Sequence, residues 1–122
     1  MLLVDDDRSF LRAAARLIRC EGFTVSTFDN PADLLASETA KKNACLIADV
    51  HMSGMNGIEL ANALVQAGRG LPFILITGRN DSETQRLIDK ADPVTVLFKP
   101  IDDTALFAAI DRALKLSRGS AV

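Results

Sequence analysis

The chain has no tryptophan and no tyrosine, one histidine and only two cysteines among its 122 residues. A lone histidine cannot supply the paired imidazoles of a zinc site, and Cys20 and Cys45 lie too far apart for a Cys-x-x-Cys or Cys/His cluster. Both cysteines read as reduced, buried thiols. Excess basic charge is also missing, since 14 Lys and Arg stand against 16 Asp and Glu for a net charge of −2. No positive field draws the chain to phosphate backbones or anionic lipid, so direct nucleic-acid binding is not expected. No apolar run approaches the roughly 20 residues of a membrane span. Met1-Leu2-Leu3-Val4 passes straight into Asp5-Asp6-Asp7 with no basic leader, which gives a cytoplasmic reading without a membrane partner. With 48% hydrophobic and 25% charged residues the composition is that of an ordinary globular protein, and the length allows one core but not a two-domain enzyme.

What is present is an alternation of short apolar runs with stretches of helical period. Leu2–Val4 predicts a first strand, and Phe10, Leu11, Ala14, Leu17 and Ile18 a helix stopped by Gly22. Phe23–Phe28 is β-rich and half apolar, as an edge strand should be, and Asn30-Pro31-Ala32-Asp33 carries the cap and proline of a short second helix. Ala44–Ala48 is apolar throughout and predicts the central strand, ending at Asp49. After the turn-like Ser53–Gly57, Ile58, Leu60, Ala61, Leu64 and Val65 predict a third helix closed by Gly68 and Gly70. Phe73–Ile76 is strand four, ending at Thr77. Asn80 paired with Glu83 opens a fourth helix through Leu87 and Ile88 that stops by Asp92-Pro93. Val94–Phe98 is strand five, ending at Lys99-Pro100. From Asp102 or Asp103, residues Leu106, Phe107, Ile110, Ala113 and Leu114 build a fifth helix. Residues 1–116 therefore read as one domain and 117–122 as a tail or the start of a linker.

The fold class is α/β: a single flavodoxin-like, doubly wound domain with a five-stranded parallel sheet of order 2-1-3-4-5 and five helices. In such sheets, sites form beyond the carboxyl ends of the strands. Asp5 and Asp6, Asp49, Thr77 and Lys99 each stand at such an end, and right-handed crossovers put strands one and three side by side. Three carboxylates then share one pocket and demand a cation. An all-oxygen, partly hydrated pocket suits Mg²⁺, or Mn²⁺ in its place. An aspartate held there beside a lysine and a threonine can attack phosphorus and form an aspartyl phosphate, and Asp49 is the candidate nucleophile.

Asp5-Asp6, Asp49-x-x-Met52-x-Gly54-x-x-Gly57, Thr77-Gly78 and Lys99-Pro100 together resemble the receiver domain of two-component response regulators. The likeness spans nearly the whole chain. It implies Mg²⁺ held by Asp6 and Asp49 directly, by Asp5 often through water, and by the backbone carbonyl of His51. It further implies that Lys99 contacts the acceptor, that Thr77 moves on phosphorylation, and that Pro100 follows a cis peptide. The implied partners are a sensor histidine kinase or histidine phosphotransfer protein as donor and a downstream effector domain or protein, with room for a phosphorylation-dependent dimer. On this reading the chain phosphorylates and slowly dephosphorylates itself and is not a metabolic enzyme.

Four features depart from the family or tune it. Ser53 replaces the usual proline after the Asp-x-x-Met stretch without removing a ligand. Val96 stands where receivers carry the Tyr or Phe that moves with the threonine, and Ala91-Asp92-Pro93 replaces the usual Ala-Gly-Ala turn. His51 and Arg79, each two residues beyond a site residue, flank the phosphoryl position and bear on its lifetime, with Gly78 and Pro100 as further modulating neighbours. Met52 and Met55 are expected as packing plugs, and Asp7 or Ser9 as no more than a solvated loop residue or a helix cap. The His51 side chain is expected to be exposed. Two other readings fit the residues less well. A flavodoxin-like electron carrier would lack Trp and Tyr to sandwich its flavin, and a phosphatase acting on external substrates would lack its Asp-x-Asp pair.

Overall fold

The computed structural model describes residues 1–37 and 45–120, with the side chains of the last helix described as far as Ser117. Five strands, β1 (Leu2–Val4), β2 (Ser26–Phe28), β3 (Leu46–Asp49), β4 (Phe73–Thr77) and β5 (Thr95–Phe98), form one sheet in the order β2-β1-β3-β4-β5. Every pairing is parallel. Five helices make the crossovers: α1 (Arg8–Cys20), α2 (Pro31–Ala36), α3 (Gly57–Gln66), α4 (Ser82–Ala91) and α5 (Asp103–Ser120). None of the described helices is long and apolar enough to cross a membrane.

Alternation along the strands divides the core into two layers. Leu3, Ile47, Ile74 and Ile76 face Leu11 and Ile18 of α1 and Leu106 and Ile110 of α5. Leu2, Val4, Leu46 and Ala48 face Leu34 of α2 and Leu60 and Leu64 of α3. A smaller cluster of Val50, Leu75 and Ile88, with Val96 against it, seats α4. Each fully buried Leu or Ile stabilises the fold by roughly 1.5–3 kcal/mol, so the central strands hold the rim to which the polar residues are attached.

The boundaries differ from the sequence expectations in physically simple ways. β2 pairs only from Ser26, because its neighbour β1 has three residues to offer and Leu2 lies opposite Ser26. Regular pairing of β3 begins at Leu46, and Ala44 lies outside the described residues. Asp81, not Asn80, caps α4: its Oδ1 accepts from the Thr84 N–H at 2.8 Å while Arg79 holds its other oxygen. α4 ends on Asp92 in the left-handed conformation (φ 51°), which the short polar side chain tolerates, and Pro93 follows. Asp102 caps α5 through the Ala105 N–H at 3.0 Å. No proline interrupts α5, so helical backbone enters the expected tail as far as Ser120. Cys45 is buried, and burial pushes its thiol up to about 11, but Cys20 at the end of α1 is exposed, contrary to expectation.

The start of α3 lies against the end of β3. Asn56 and Glu59 form a reciprocal capping box, and the Gly57 N–H donates to the Val50 carbonyl at 3.2 Å. A Cβ on Gly57 would overlap the Asp49 carbonyl oxygen, a backbone atom that cannot swing aside. Gly57→Ala should therefore cost about 1–3 kcal/mol in chemical unfolding. Unchanged stability would show that α3 can shift away from the strand end.

Candidate functional site

β1 and β3 are neighbours in register, with Val4 opposite Ala48, so the next residues, Asp5 and Asp49, stand side by side at the rim. Ligand oxygens from Asp5, Asp6 and Asp49 all lie within 4.8 Å of one another. Consecutive acids meet different fates here. Asp5 is fully buried, Asp6 is exposed, and Asp7 caps α1 by accepting from the Phe10 N–H at 3.2 Å. Asp49 is only 6% exposed.

Lys99 arrives from the end of β5, and its ammonium sits 2.8 Å from Asp5 Oδ2 and 3.2 Å from Asp49 Oδ2. It also lies over the Phe10 ring, 4.4 Å from the centroid, a cation–π contact that pins it from the α1 side. Asp5 Oδ1 accepts from the Asp7 N–H at 2.9 Å. Its Oδ2 is buried and has the ion pair with Lys99 but no aligned hydrogen bond. The Asp49 Oδ1 accepts from the His51 N–H at 3.1 Å, and Asp6 Oδ2 from the Ser53 N–H at 3.3 Å.

Burial, and after it the charge of Asp5, push the Asp49 carboxyl above its ordinary value; the His51 N–H and Lys99 pull the other way without cancelling the rise. Burial works against the Lys99 ammonium, but the close ion pair with Asp5 and the charge of Asp49 more than offset it, so its pKa is raised. Three carboxylates face one ammonium, which leaves two negative charges to be balanced. That deficit, the all-oxygen donor set, the exposed edge at Asp6 and the unaligned Asp5 Oδ2 fit a hard divalent cation.

Thr77 is fully buried, and its hydroxyl donates to the Arg79 carbonyl at 3.1 Å while accepting the Arg79 N–H at 3.0 Å. The Arg79 guanidinium is held by Asp81 at 2.6 Å. A methyl on Gly78 would meet only Lys99 Cδ, at an ordinary 3.9 Å, so space alone does not demand glycine there. The Lys99-Pro100 peptide is cis. Met52 and Met55 pack in the layer under α3. The His51 side chain is not exposed: it is half-buried, with Nε2 2.8 Å from Thr84 Oγ1 on α4.

Sequence reasoning took Phe10 only as a core residue and missed Thr84. Nothing local marks either contact, because each depends on which helix the sheet places beside the loop. The Asn56-x-x-Glu59 cap had a readable signature and was also missed.

Known proteins share both the sequence and the fold. Residues 1–111 match the family described as the response regulator receiver domain. The response regulator protein TodT of Pseudomonas putida is 33% identical over 115 residues, 94% of this chain and 51% of that protein. The transcriptional regulatory protein FixJ of Rhizobium meliloti is 32% identical over 111 residues, covering 91% of this chain and 54% of that one. The chain thus spans about half the length of these relatives. Among solved structures, the response regulator StyR superposes with a TM-score of 0.87 at 36% identity, over 98% of this chain and 61% of that one. A crystal structure titled FixJ-N gives 0.83 at 31%, over 93% and 91%.

Proposed function

The chain belongs to the response regulator receiver domain family, and from that premise we propose that it is a phosphorylation-dependent switch whose acceptor is Asp49. The donor is a phosphohistidine on a sensor kinase or phosphotransfer protein. An Asp49 carboxylate oxygen attacks phosphorus, the P–N bond breaks, and the leaving imidazole takes up a proton. Water later attacks the same phosphorus, the acyl P–O bond breaks, and inorganic phosphate leaves with the carboxylate restored. The chain is its own substrate, so no external metabolic reaction is assigned to it.

The single observation carrying this reading is the Lys99 ammonium placed between Asp5 and Asp49 within a pocket of three acids. Asp6, Asp49 and the His51 carbonyl would hold Mg²⁺ directly and Asp5 through water; the ion would supply the positive charge that lets an anionic carboxylate meet an anionic phosphoryl group. Lys99 holds one Asp49 oxygen and stands ready for a phosphoryl oxygen. The His51 N–H orients the other Asp49 oxygen. Thr77 leaves its bonds with Arg79 to donate to the phosphoryl group. The added charge of about −1.5 to −2 then shifts a two-state equilibrium at α4, β5 and α5, the face an effector domain or a second copy reads. This reading sets the domain in the cytoplasm. The proposed unit is residues 1–116, and Leu114 of α5 still packs on the core.

Incubation with acetyl phosphate and Mg²⁺ should add one phosphoryl mass to the intact protein, and chelation of the metal should suppress it. An adduct formed equally well without divalent metal would overturn the assignment. Mg²⁺ alone should raise thermal stability, by about 2.7 kcal/mol at a hundredfold excess over its dissociation constant. A melting temperature unmoved by millimolar Mg²⁺ would count against the three-acid site.

A further inference from the structure

A threonine on the buried side of a helix must spend its polar atoms on a partner. Thr84 is buried one turn before Ile88, which packs against Val50, Leu75 and Val96. Its Oγ1 lies 2.8 Å from Nε2 of His51, in the loop just after Asp49. The Thr84 N–H donates to Asp81 Oδ1 at 2.8 Å, and the contacts with Thr84, and after them Arg79, hold that carboxyl well below the usual carboxylate range. Hydroxyl and imidazole can each donate or accept, so the pair is satisfied in either tautomer of His51.

The chain of contacts continues on both sides. Asp81 Oδ2 accepts from Arg79 Nη2 at 2.6 Å and Nε at 3.0 Å, and the Arg79 N–H donates to Thr77 Oγ1 at 3.0 Å. At the other end the His51 N–H holds Asp49 Oδ1 at 3.1 Å. Asp49 and Thr77 are thus joined through the first turn of α4 by hydrogen bonds that the side-chain stems of His51 and Arg79 connect. Val96 has no polar tip and lies in the apolar cluster beneath that helix.

The geometry points to His51 and Thr84 as positioning residues that carry the state of Asp49 to α4 and on to Thr77, by hydrogen bonds, in a domain with valine at position 96. The inference rests on the acceptor reading only for what sets the switch in motion. The link itself exists in the resting protein and can be tested there.

The test is amide hydrogen exchange at residues 82–85, referred to Leu75 in the core so that a general loss of stability cancels. In the unphosphorylated protein, Asp49→Ala should speed exchange there by about fivefold, the worth of one neutral hydrogen bond. Thr84→Val, which replaces the hydroxyl by a methyl of the same shape, should remove that further effect, and Thr84→Ser should restore it. With acetyl phosphate and Mg²⁺, the α4 response per phosphoryl incorporated should fall about fivefold in Thr84→Val and recover in Thr84→Ser. The proposal is overturned by an undiminished response in Thr84→Val to either input, or by Thr84→Ser behaving no better than valine. A chain that takes up no phosphoryl, yet transmits Asp49→Ala to α4 through Thr84, would overturn the acceptor assignment and support the link.

Discussion

Asp49→Asn should lower phosphoryl incorporation from acetyl phosphate by about 10³-fold or more, as removal of a covalent nucleophile does. An amide nitrogen and a carbonyl oxygen keep the shape of the side chain, but neither atom carries the negative charge that attacks phosphorus. Intact-mass measurement with and without Mg²⁺ reads the result directly, and an adduct of undiminished yield would place the acceptor elsewhere. The same substitution should raise the stability of the metal-free protein. The Asp49 pKa is higher in the folded chain than its ordinary 3.8, so between those two values the folded state binds more protons than the unfolded one. Stability attributable to this group falls as pH rises through that window and stays lowered above it. Asparagine removes that slope. Unfolding midpoints of the two proteins should therefore separate as pH rises from 3.8 through the window and run parallel beyond it, with the asparagine protein the more stable. A wild-type midpoint that climbs through the same window relative to the variant would contradict the burial and charge environment described for Asp49.

Lys99→Met should destabilise the metal-free protein by about 2–4 kcal/mol at neutral pH, as breaking a largely buried ion pair does. The methionine retains most of the stem but leaves Asp5, fully buried, and Asp49, nearly so, with no cation between them. The lysine side chain is 22% exposed, so water recovers part of the loss. The Lys99 pKa is raised, so the stability it contributes is complete below 10.5 and is lost only as pH climbs through its higher folded value. Wild type should show this alkaline loss and the variant should not. Mg²⁺ should restore part of the variant's stability, since it supplies charge to the same acids. If Lys99→Met unfolds at the same denaturant concentration as wild type, the ion pairs are not holding the rim together. Phosphoryl uptake should fall as well, because the charge facing the transferring group is gone.

Much of the architecture was legible from patterning. The wholly apolar run of Ala44–Ala48 reads as an interior strand, and every strand candidate but the second ended in a residue with site chemistry. Cap chemistry placed the starts of α2 and α5 within a residue. It failed at α4, where Asn80 and Asp81 are equally good caps in isolation. The guanidinium of Arg79 favours Asp81, and that preference exists only once the turn is folded. His51 failed for a related reason: its surroundings are set by α4, thirty-three residues further along.

Asp5-Asp6-Asp7 shows where the division lies. Hydrophobic period, chain direction and the handedness of crossovers are properties a linear chain already carries, and they were enough to bring these acids and Asp49 to one rim. They could not assign the three acids to an ion pair, an exposed rim position and a helix cap, nor set Lys99 over Phe10 or tie His51 to Thr84. Those outcomes depend on distances of a few ångströms between segments remote in sequence. Packing of the helices on the sheet determines such distances, and local preference does not.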